Sequence, residues 1–330
     1  MMGRAYINVR ATRRSGYIPP LEKGGRGRDR SPSLGQGGDG VVVKNKRYMK
    51  KGLVLEGGAL RGLFTVGILD VMMEHNITPD GFIGVSAGAA FGCNMKSRQP
   101  GRAIRYNTNY AKDWRYCSIR SYLKTGDLFG GEFDYHYLPA HLDIFDEEAF
   151  DNNPMEMYLV CTDVTTGKAV YKKLDKSGYN CYEWIRASAS MPLASRIVKV
   201  DGYQLLDGGI ADSIPLRYFQ EIGYEKNIVI LTQPDGYVKE KNKFLPLMKM
   251  QLHKYPHFIE AAANRHLMYN TETAYVKEQE LSGNTLVIRP KEPLPIGHIS
   301  HDPEEMWRVY HIGRAAGEER LQDILRFMQE

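Results

Sequence analysis

The stretch GLVLEGGALRGLFTVGILDVMMEHNITPDGFIGVSAGAAFG, residues 52–92, decides the fold. It holds two short apolar runs, GLVLE (52–56) and GFIGV (81–85), which predict buried strands. Residues 63–75 lie between them and are apolar on nearly every side, which predicts a buried helix. A run of small residues after the second strand predicts a second helix. Strand, helix, strand and helix in this order predict a βαβ unit with parallel strands, and therefore an α/β fold.

The rest of the chain supplies further strands and then helices. Asp201-Gly202 and Thr165-Thr166-Gly167 each separate two apolar runs, and both turns predict hairpins. NIVILTQ (227–233) and NTLVIRP (284–290) predict two more buried strands, with a mostly helical stretch between them at roughly 240–281.

The net charge of +5 is concentrated at the start of the chain. Residues 1–48 carry 11 Lys/Arg and 3 Asp/Glu, a net charge of +8, which leaves −3 for the remaining residues. This basic segment is rich in Gly, Arg, Ser and Pro, which predicts disorder. We interpret it as a leader or an over-called start, because Met49 opens the natural-looking beginning MKKGLVLEGG. The other interpretation is a tether to nucleic acid or to an anionic membrane.

Several classes of protein are disfavoured by composition. No apolar run approaches the roughly 20 residues of a membrane span, and the N-terminus has no continuous apolar region typical of a secretory signal. The four cysteines are widely spaced and form no CxxC pair, so we expect neither a zinc site nor a disulfide framework. We therefore expect a cytoplasmic protein with reduced thiols, no metal and no cofactor.

A candidate nucleophile follows the second predicted strand. Ser86 lies in the pattern Gly84-Val85-Ser86-Ala87-Gly88, which is typical of a serine held on a sharp strand-to-helix turn. The glycines are needed because side chains at their positions would collide with neighbouring backbone. Taken alone, the pattern also fits an ordinary tight turn.

A candidate anion site follows the first predicted strand. EGGALRG, residues 56–62, leads into a helix, where unpaired N–H groups and the helix dipole favour an anion. A nucleotide phosphate is disfavoured, because Ala59 occupies the second glycine of a dinucleotide fingerprint and Arg61-Gly62-Leu63 does not match a P-loop. The remaining readings are the oxyanion of an acyl transfer and a plain turn.

A candidate base lies farther along the chain. Asp207 ends a predicted strand and is followed by Gly208 and Gly209, before a helix that Pro215 could start. In a parallel βαβ unit the loops after both strands share the carboxyl edge of the sheet, where open α/β proteins bind ligands. We therefore expect the glycine loop and Ser86 to be neighbours, with Asp207 able to reach the serine hydroxyl.

Three motifs in this order resemble the patatin-like phospholipase family. They are Gly57-Gly58-Ala59-Leu60-Arg61-Gly62, then Gly84-Val85-Ser86-Ala87-Gly88, then Asp207-Gly208-Gly209, and the segment ASASMPLAS (187–195) adds to the resemblance. Bacterial, cytoplasmic-type members with a C-terminal extension are the most similar overall. The resemblance implies a three-layer α/β/α fold with a mostly parallel central sheet. We predict a patatin-like core at 49–235 and a mostly helical C-terminal extension at 236–330, which contributes the strand at 284–290.

The resemblance also implies a lipid acyl hydrolase with a Ser–Asp dyad. Carried over by position, Ser86 is the nucleophile and Asp207 the base, and the glycine loop forms the oxyanion hole (Gly57, Gly58, Ala59, Arg61 and Gly62). The substrate would be a phospholipid, a lysophospholipid or a related acyl ester. The sequence departs from the family at Ala59, which replaces a third glycine and is tolerable only with a negative φ, and at Ser213, where Asn is frequent. Burial would have to raise the pKa of Asp207 for it to act as a base, because a free Asp has a pKa near 3.9.

Two other functions remain open. A conventional Ser-Asp-His triad would need a histidine after Asp207, and six follow it: His253, His257, His266, His298, His301 and His311. A non-catalytic lipid-binding protein is the other alternative, although the dyad positions are complete.

Residues 102–124 combine six basic residues with five aromatic ones. We interpret this segment first as a packed surface helix, and otherwise as a lid or as a region of peripheral contact with anionic lipid. Nucleic-acid binding is not expected, since no recognisable motif accompanies these residues. The sequence does not encode the oligomeric state.

Overall fold

An eight-stranded sheet forms the centre of the computed structural model, which describes residues 49–329. The predictions made for residues 1–48 lie outside the described residues. The strands are β1 (Lys51–Leu55), β2 (Gly81–Val85), β3 (Glu156–Asp163), β4 (Ala169–Leu174), β5 (Val198–Val200), β6 (Tyr203–Asp207), β7 (Lys226–Ile230) and β8 (Thr285–Ile288).

The sheet is mostly parallel, as the sequence predicts. Its order is β5-β6-β3-β2-β1-β7-β8, with β4 paired to β3 beside this path. The run β3-β2-β1-β7-β8 is parallel throughout. The two predicted hairpins supply the antiparallel part, because β4 pairs with β3, and β5 pairs with β6. β6 in turn pairs antiparallel with β3, and this pairing brings Asp207 opposite Cys161.

Helices cover both faces of the sheet. They are α1 (Gly62–Glu74), α2 (Ala87–Lys96), α3 (Arg102–Asn109), α4 (Ile119–Thr125), α5 (Leu138–His141), α6 (Glu147–Asn152), α7 (Tyr179–Ser188), α8 (Leu216–Glu221), α9 (Leu245–Gln251), α10 (Pro256–Leu281), α11 (Pro303–Glu319) and α12 (Leu321–Gln329). Short 3-10 turns at Ala59–Arg61 and Gly208–Ile210 and a π-helical turn at Phe133–Tyr137 complete the description.

Alternate residues of each strand enter two separate cores, because successive strand side chains point to opposite faces. Leu53 and Leu55 pack in one core with residues of α1, α2 and α11. Val54 packs in the other core with Phe219 of α8 and Tyr269 of α10. These two layers of helices around one sheet confirm the predicted three-layer α/β/α fold.

The C-terminal part adds to both the sheet and its cover. β8 pairs parallel with β7, and α11 packs closely along α1. A Cβ added at Gly313 of α11 would lie 2.0 Å from the carbonyl oxygen of Phe64, so the two helix backbones touch there. Tyr310 also donates a hydrogen bond of 2.8 Å to Asp70 Oδ2 of α1. The helix that follows the glycine loop is therefore covered by residues from the far end of the chain.

Residues 102–124 form two helices where one was expected. α3 ends at Asn109, and α4 begins after Ser118, whose Oγ accepts the Ser121 N–H at 2.9 Å. None of the helices within residues 49–329 has the length and apolar character needed to cross a membrane.

Candidate active site

Ser86 and Asp207 meet at the carboxyl edge of the sheet. Ser86 follows β2 and Asp207 ends β6. Ser86 Oγ donates a hydrogen bond of 2.6 Å to Asp207 Oδ2. Each residue is only 7% exposed, and Ser86 lines a cavity that opens to the surface. A serine hydroxyl that is both reachable and bonded to a carboxylate is the arrangement that nucleophilic catalysis needs.

The backbone at Ser86 makes the sharp turn that its motif predicts. Its φ of 55° and ψ of −121° are rare for a residue with a side chain, and α2 begins at the next residue. A Cβ at Gly88 would lie 2.4 Å from the Leu55 carbonyl oxygen, and one at Gly84 would lie 2.5 Å from the Ala89 nitrogen. Both glycines are therefore required by the close approach of backbone around the turn.

Asp207 is fixed by its own backbone and by the glycines that follow. Its Oδ1 accepts the Gly209 N–H at 2.8 Å, and its backbone oxygen accepts the Thr162 hydroxyl at 2.8 Å. Gly208 packs against the Val160 carbonyl, where a Cβ would lie only 2.1 Å away. Ser213, the departure noted in the sequence, donates its hydroxyl to the Gly209 oxygen at 2.8 Å and so closes the same turn.

The Ser/Ala-rich segment 187–195 holds both residues of the pair. Ser188 Oγ accepts the Ser86 N–H at 2.9 Å and donates to the Val160 oxygen at 2.7 Å. Two residues later, the Ser190 carbonyl accepts the Asp207 N–H at 2.8 Å. Sequence reasoning marked this segment by resemblance but assigned no role to Ser188 or Ser190.

Burial raises the pKa of Asp207 above its ordinary value. The hydrogen bond from Ser86, the positive charge of Arg265, the Gly209 N–H and the charge of Lys239 all oppose that rise. The raised pKa moves Asp207 toward the range in which a carboxylate accepts a proton effectively at neutral pH. The sequence predicted that Asp207 would need such a rise in its pKa to act as a base.

The glycine loop lies directly against Ser86. A Cβ at Gly57 would lie 2.9 Å from Ser86 Cβ and 2.8 Å from the Val85 oxygen, so only glycine allows this contact. The amide N–H groups of Gly57, Gly58 and Ala59 form no hydrogen bond within residues 49–329. Gly62 opens α1 beside Ala87 and Phe91 of α2. Free donors beside a serine hydroxyl can stabilise an oxyanion.

The expectation that Ala59 keeps a negative φ is wrong. Its φ is +49°, in the left-handed region, and it begins the short 3-10 turn that ends at Arg61. A Cβ in this conformation costs about 1–2 kcal/mol. This strained conformation occurs in the loop whose N–H groups lie at the sheet edge.

Glu56 anchors the loop and was not predicted from sequence. It is buried, and its carboxylate accepts the Thr232 N–H at 2.6 Å and the Tyr269 hydroxyl at 2.7 Å. These bonds tie the start of the loop to the residues after β7 and to α10. The acidic residue that begins EGGALRG was the available sequence signal for this role, but the partners of Glu56 lie 176 and 213 residues away.

The six histidines considered for a triad make no hydrogen bond to Ser86 or Asp207 in the part of the chain that the structure describes. His298 Nε2 instead lies 3.2 Å from Arg61 Nη1, and His301 bonds the Ala111 oxygen. Over the same residues, no group of three or more His, Cys, Asp or Glu side chains is placed to hold a metal ion.

A cavity of about 1080 Å³, its open mouth included, extends from Ser86 between α2, α3 and α7. Most of its surface is apolar, with contributions from Leu60, Phe91, Leu138 and Ile185. Its size and apolar character suit a flexible hydrocarbon group. Tyr106, Asn107 and Tyr116 of the segment 102–124 also line it, so part of that segment is a wall of the cavity.

Two cations of the C-terminal residues, Arg265 and Lys239, act on Asp207, and Arg61 of the glycine loop lies near Lys239. Arg265 of α10 donates its Nε–H to the Gly209 oxygen. Burial lowers the pKa of His298, and the positive charges of three residues lower it further: Arg61, Lys239 and Arg265. Within residues 49–329, none of the three forms an ion pair with a carboxylate. Arg265 and Lys239 add positive charge beside Asp207, and Glu56 and Glu272 partly offset the charge of Lys239.

Two family models match the chain. The patatin-like phospholipase model matches residues 53–219, and a domain of unknown function (DUF6363) matches residues 255–329. The uncharacterized protein YjjU of Escherichia coli K12 is 32% identical over 199 residues, which cover 55% of this chain and 52% of YjjU. The lysophospholipase nte1 of Emericella nidulans is 28% identical over 180 residues, which cover 52% of this chain and 11% of that protein.

Among solved structures, that of VipD from Legionella pneumophila is similar with a TM-score of 0.42 and 14% identity, and the match covers 84% of this chain and 67% of VipD. This chain thus spans about half the length of YjjU and about a tenth of the fungal protein. The patatin-like model covers half of the chain, and the glycine loop, Ser86 and Asp207 all fall within the match. The chain therefore belongs to the patatin-like phospholipase family.

Proposed function

We propose that this protein hydrolyses carboxylic esters of lipids through Ser86 and Asp207. The observation that carries the proposal is the 2.6 Å hydrogen bond from Ser86 Oγ to Asp207, beside an apolar cavity. The family and the names of relatives such as the lysophospholipase nte1 support a lipid substrate.

The first half of the reaction acylates Ser86. Asp207 accepts the hydroxyl proton as Ser86 Oγ attacks the ester carbonyl, and the N–H groups of Gly57, Gly58 and Ala59 stabilise the oxyanion. Collapse of the tetrahedral intermediate breaks the bond to the alcohol, which leaves with the proton from Asp207. The fatty acyl group remains on Ser86 as an ester.

The second half releases the fatty acid. Asp207 accepts a proton from a water molecule, which attacks the acyl-enzyme at the same carbonyl. The oxyanion forms in the same place, and its collapse returns the proton to Ser86 Oγ. No metal or cofactor enters either half.

A fluorophosphonate probe, which labels activated serines, tests the proposal. We expect labelling and hydrolysis of 4-nitrophenyl esters by the native protein, loss of both in Ser86→Ala, and a loss of at least a hundredfold in Asp207→Asn. Ser97→Ala is the matched control. Ser97 is a buried serine at the C-terminal end of α2, and within residues 49–329 its hydroxyl bonds only the Asn94 carbonyl oxygen. Labelling of Ser86→Ala at the native rate would refute the nucleophile assignment, and binding of lipid with no labelling would favour a lipid-binding protein.

Arg61, Lys239 and Arg265, none of which forms an ion pair within residues 49–329, favour a substrate with an anionic headgroup, such as a phospholipid or lysophospholipid. Phosphate oxygens are natural partners for Arg and Lys beside a loop of free N–H groups. At a pH above the acid limb of both proteins, we expect Lys239→Gln to lower kcat/KM for a lysophospholipid about tenfold, and to leave a monoacylglycerol with the same chain unaffected. Equal losses on both substrates would contradict the headgroup assignment.

Peripheral contact with an anionic membrane remains a proposal. Ile119 and Leu123, one turn apart on α4, are 74% and 79% exposed, and Arg120 and Lys124 lie beside them over the ring of Trp114. Exposed apolar residues flanked by cations suit an anionic lipid surface. We expect the double change Ile119→Ser with Leu123→Ser to reduce sedimentation with vesicles containing phosphatidylserine. Unchanged sedimentation would exclude this surface.

A further inference from the structure

One part of the cavity wall is polar and has unused hydrogen-bonding capacity. We call this part, formed by Tyr106, Asp134 and Tyr135, the polar wall. All three residues line the same cavity as Ser86. Within residues 49–329 neither tyrosine hydroxyl forms a hydrogen bond, and the Asp134 carboxyl has no partner at either oxygen.

Asp134 is the most unusual member. Its Oδ1 is completely buried without a hydrogen bond, which is rare in native proteins and calls for an explanation. It lies in the π-helical turn Phe133–Tyr137, and such turns are frequent at functional sites because they redirect side chains. The same turn brings Tyr135 into the cavity, so one local irregularity supplies two of the three polar groups.

The neighbouring charged and polar groups have other partners. Arg186 is held by Glu183 through two hydrogen bonds of 2.8 and 2.5 Å. Arg102 donates to the Asp143 carbonyl and to Asn94. The Tyr116 hydroxyl donates to Asn107 at 2.5 Å. The cations of the cavity are therefore already neutralised or bonded, and they leave the polar wall without a partner.

The surroundings of the Asp134 carboxyl favour its neutral form. Burial raises its pKa well above the ordinary value, and the negative charge of Asp113 adds to this, with no cation opposing it. A neutral carboxyl both donates and accepts a hydrogen bond. Its natural counterpart is a neutral group that can also do both, and a hydroxyl is the smallest such group.

The polar wall lies within reach of the chemistry. Tyr135 and the other residues of the polar wall line the same cavity as Ser86. An acyl chain attached to Ser86 would therefore pass the polar wall as it enters the cavity. A plain alkyl chain would cover these polar groups without bonding any of them, whereas an oxygen on the chain would satisfy them.

We infer that the cavity selects acyl groups that carry a hydroxyl on the chain, bonded by Asp134 and by the hydroxyl of Tyr106 or Tyr135. This inference rests on the proposed function, since it concerns the acyl group that Ser86 would accept. The polar wall would select esters by their acyl group, and it would have no role in the bond-breaking steps.

The test compares pairs of 4-nitrophenyl esters with and without a terminal hydroxyl, at chain lengths of 6, 8 and 10 carbons. We expect the native protein to prefer the hydroxylated ester at least tenfold in kcat/KM at one of these lengths, because a site that bonds a hydroxyl discriminates strongly against the analogue without it. In Asp134→Leu the preference should reverse. Asp134→Asn, which still donates and accepts, should keep most of it.

Leu138→Ala is the matched control from the apolar wall of the same cavity. It should change kcat/KM for both members of each pair by the same factor, and thermal unfolding of each variant confirms that it folds. Equal rates for both members of every pair in the native protein would overturn the inference while the proposed function stands. Evidence that the polar wall binds only water would overturn it in the same way. Absence of probe labelling and of all hydrolysis would overturn the proposed function, and this inference with it.

Discussion

Ser86 holds its hydroxyl on Asp207 in a backbone conformation that costs free energy. A non-glycine residue at such φ and ψ is strained by about 1–3 kcal/mol and persists only where its surroundings fix it. Ser188 is the residue that fixes it, since its hydroxyl accepts the Ser86 N–H and is itself fully buried. The proposed nucleophile therefore depends on a second serine that lies 102 residues away.

Replacing Ser188 with alanine should damage both stability and catalysis. The change leaves the Ser86 N–H and the Val160 oxygen buried without a partner, which costs about 1–3 kcal/mol. We expect a lower urea midpoint and a kcat reduced about tenfold with little change in KM. Cysteine at this position, a weaker hydrogen-bonding group, should restore part of kcat. A loss of stability with unchanged kcat would show that Ser188 is purely structural.

The pH dependence of activity should reflect the burial of Asp207. The proposed base works only when ionised, and its pKa is raised, so kcat/KM should fall on the acid side at a higher pH than an exposed aspartate would give. Lys239 lowers the pKa of Asp207 through its charge, so Lys239→Gln should move the acid limb to still higher pH. A pH–rate profile for both proteins checks this. An acid limb that stays in place in Lys239→Gln would contradict it.

The same burial makes Asp207 a cost to stability. A carboxyl whose folded pKa is raised destabilises the fold once pH exceeds its unfolded value, and the loss is complete above the folded pKa. Asp207→Asn should therefore be inactive yet at least as stable as the native protein at pH 7. The difference should shrink as pH falls toward 4. Chemical denaturation at both pH values measures it, and a less stable variant at pH 7 would be the contrary result.

The residues of the candidate site differ in how far the sequence could predict them. Ser86 and Asp207 were predicted because the glycines that indicate each sharp turn lie next to them in the sequence. Ser188, Glu56 and Asp134 were not assigned, because what makes them important is a partner or a cavity formed by distant parts of the chain. The left-handed φ of Ala59 was missed for a related reason, since the loop strain is imposed by contacts with Ser86 and Thr232.

At the scale of elements, α1 and α11 form the closest helix contact. Gly313 faces the Phe64 carbonyl, and Gly67 of α1 faces the Tyr310 carbonyl, so neither helix has room for a side chain there. Close backbone approach allows the Tyr310 hydroxyl to reach Asp70. The position of α1, which begins in the glycine loop, thus depends on a helix contributed by the C-terminal residues.

Gly313→Ala should separate these two helices. The new Cβ would lie 2.0 Å from a backbone oxygen, and overpacking of this kind costs about 1–3 kcal/mol. We expect a lower thermal midpoint and weaker fluorophosphonate labelling, because the start of α1 shifts. Gly317→Ala is the comparison, since its nearest atom, Ile68 Cα, is 3.3 Å away and the loss should be smaller. Equal losses in both variants would argue against the close contact.

Most elements were predictable, and the exceptions have physical causes. The strands were predicted within one to three residues because buried parallel strands are short apolar runs between glycines. Residues 102–124 were treated as one segment, although Ser118 is a good helix cap and marks the break before α4. The π-helical turn at Phe133–Tyr137 leaves no sequence signal, because it arises from packing of the cavity wall.

At the scale of the whole molecule, the C-terminal residues complete the layers of the core. β8 covers the edge of β7, and α1 is buried from Gly62 to Met72 because α11 lies on it. Arg265 of α10 reaches the Gly209 oxygen beside Asp207. The C-terminal residues therefore contribute both to the core and to the surroundings of the candidate site.

Removal of residues 303–330 should abolish cooperative folding. α1 would lose its cover and expose the apolar residues of that face to water, at about 25 cal/mol for each Å². We expect the shortened chain to bind the dye ANS and to unfold without a sharp transition in calorimetry. A cooperative transition close to that of the full chain would show that the layers without α11 are stable alone.

The contacts of Ser188 and Ser190 have a kinetic consequence. The two amides they hold, of Ser86 and Asp207, are released by one local opening of the turn after α7. Both amides should then exchange hydrogen for deuterium at a single shared rate, although Ser86 follows β2 and Asp207 ends β6. Heat inactivation should follow that same rate and precede loss of the sheet, so the proposed activity would be lost while most of the molecule remains folded.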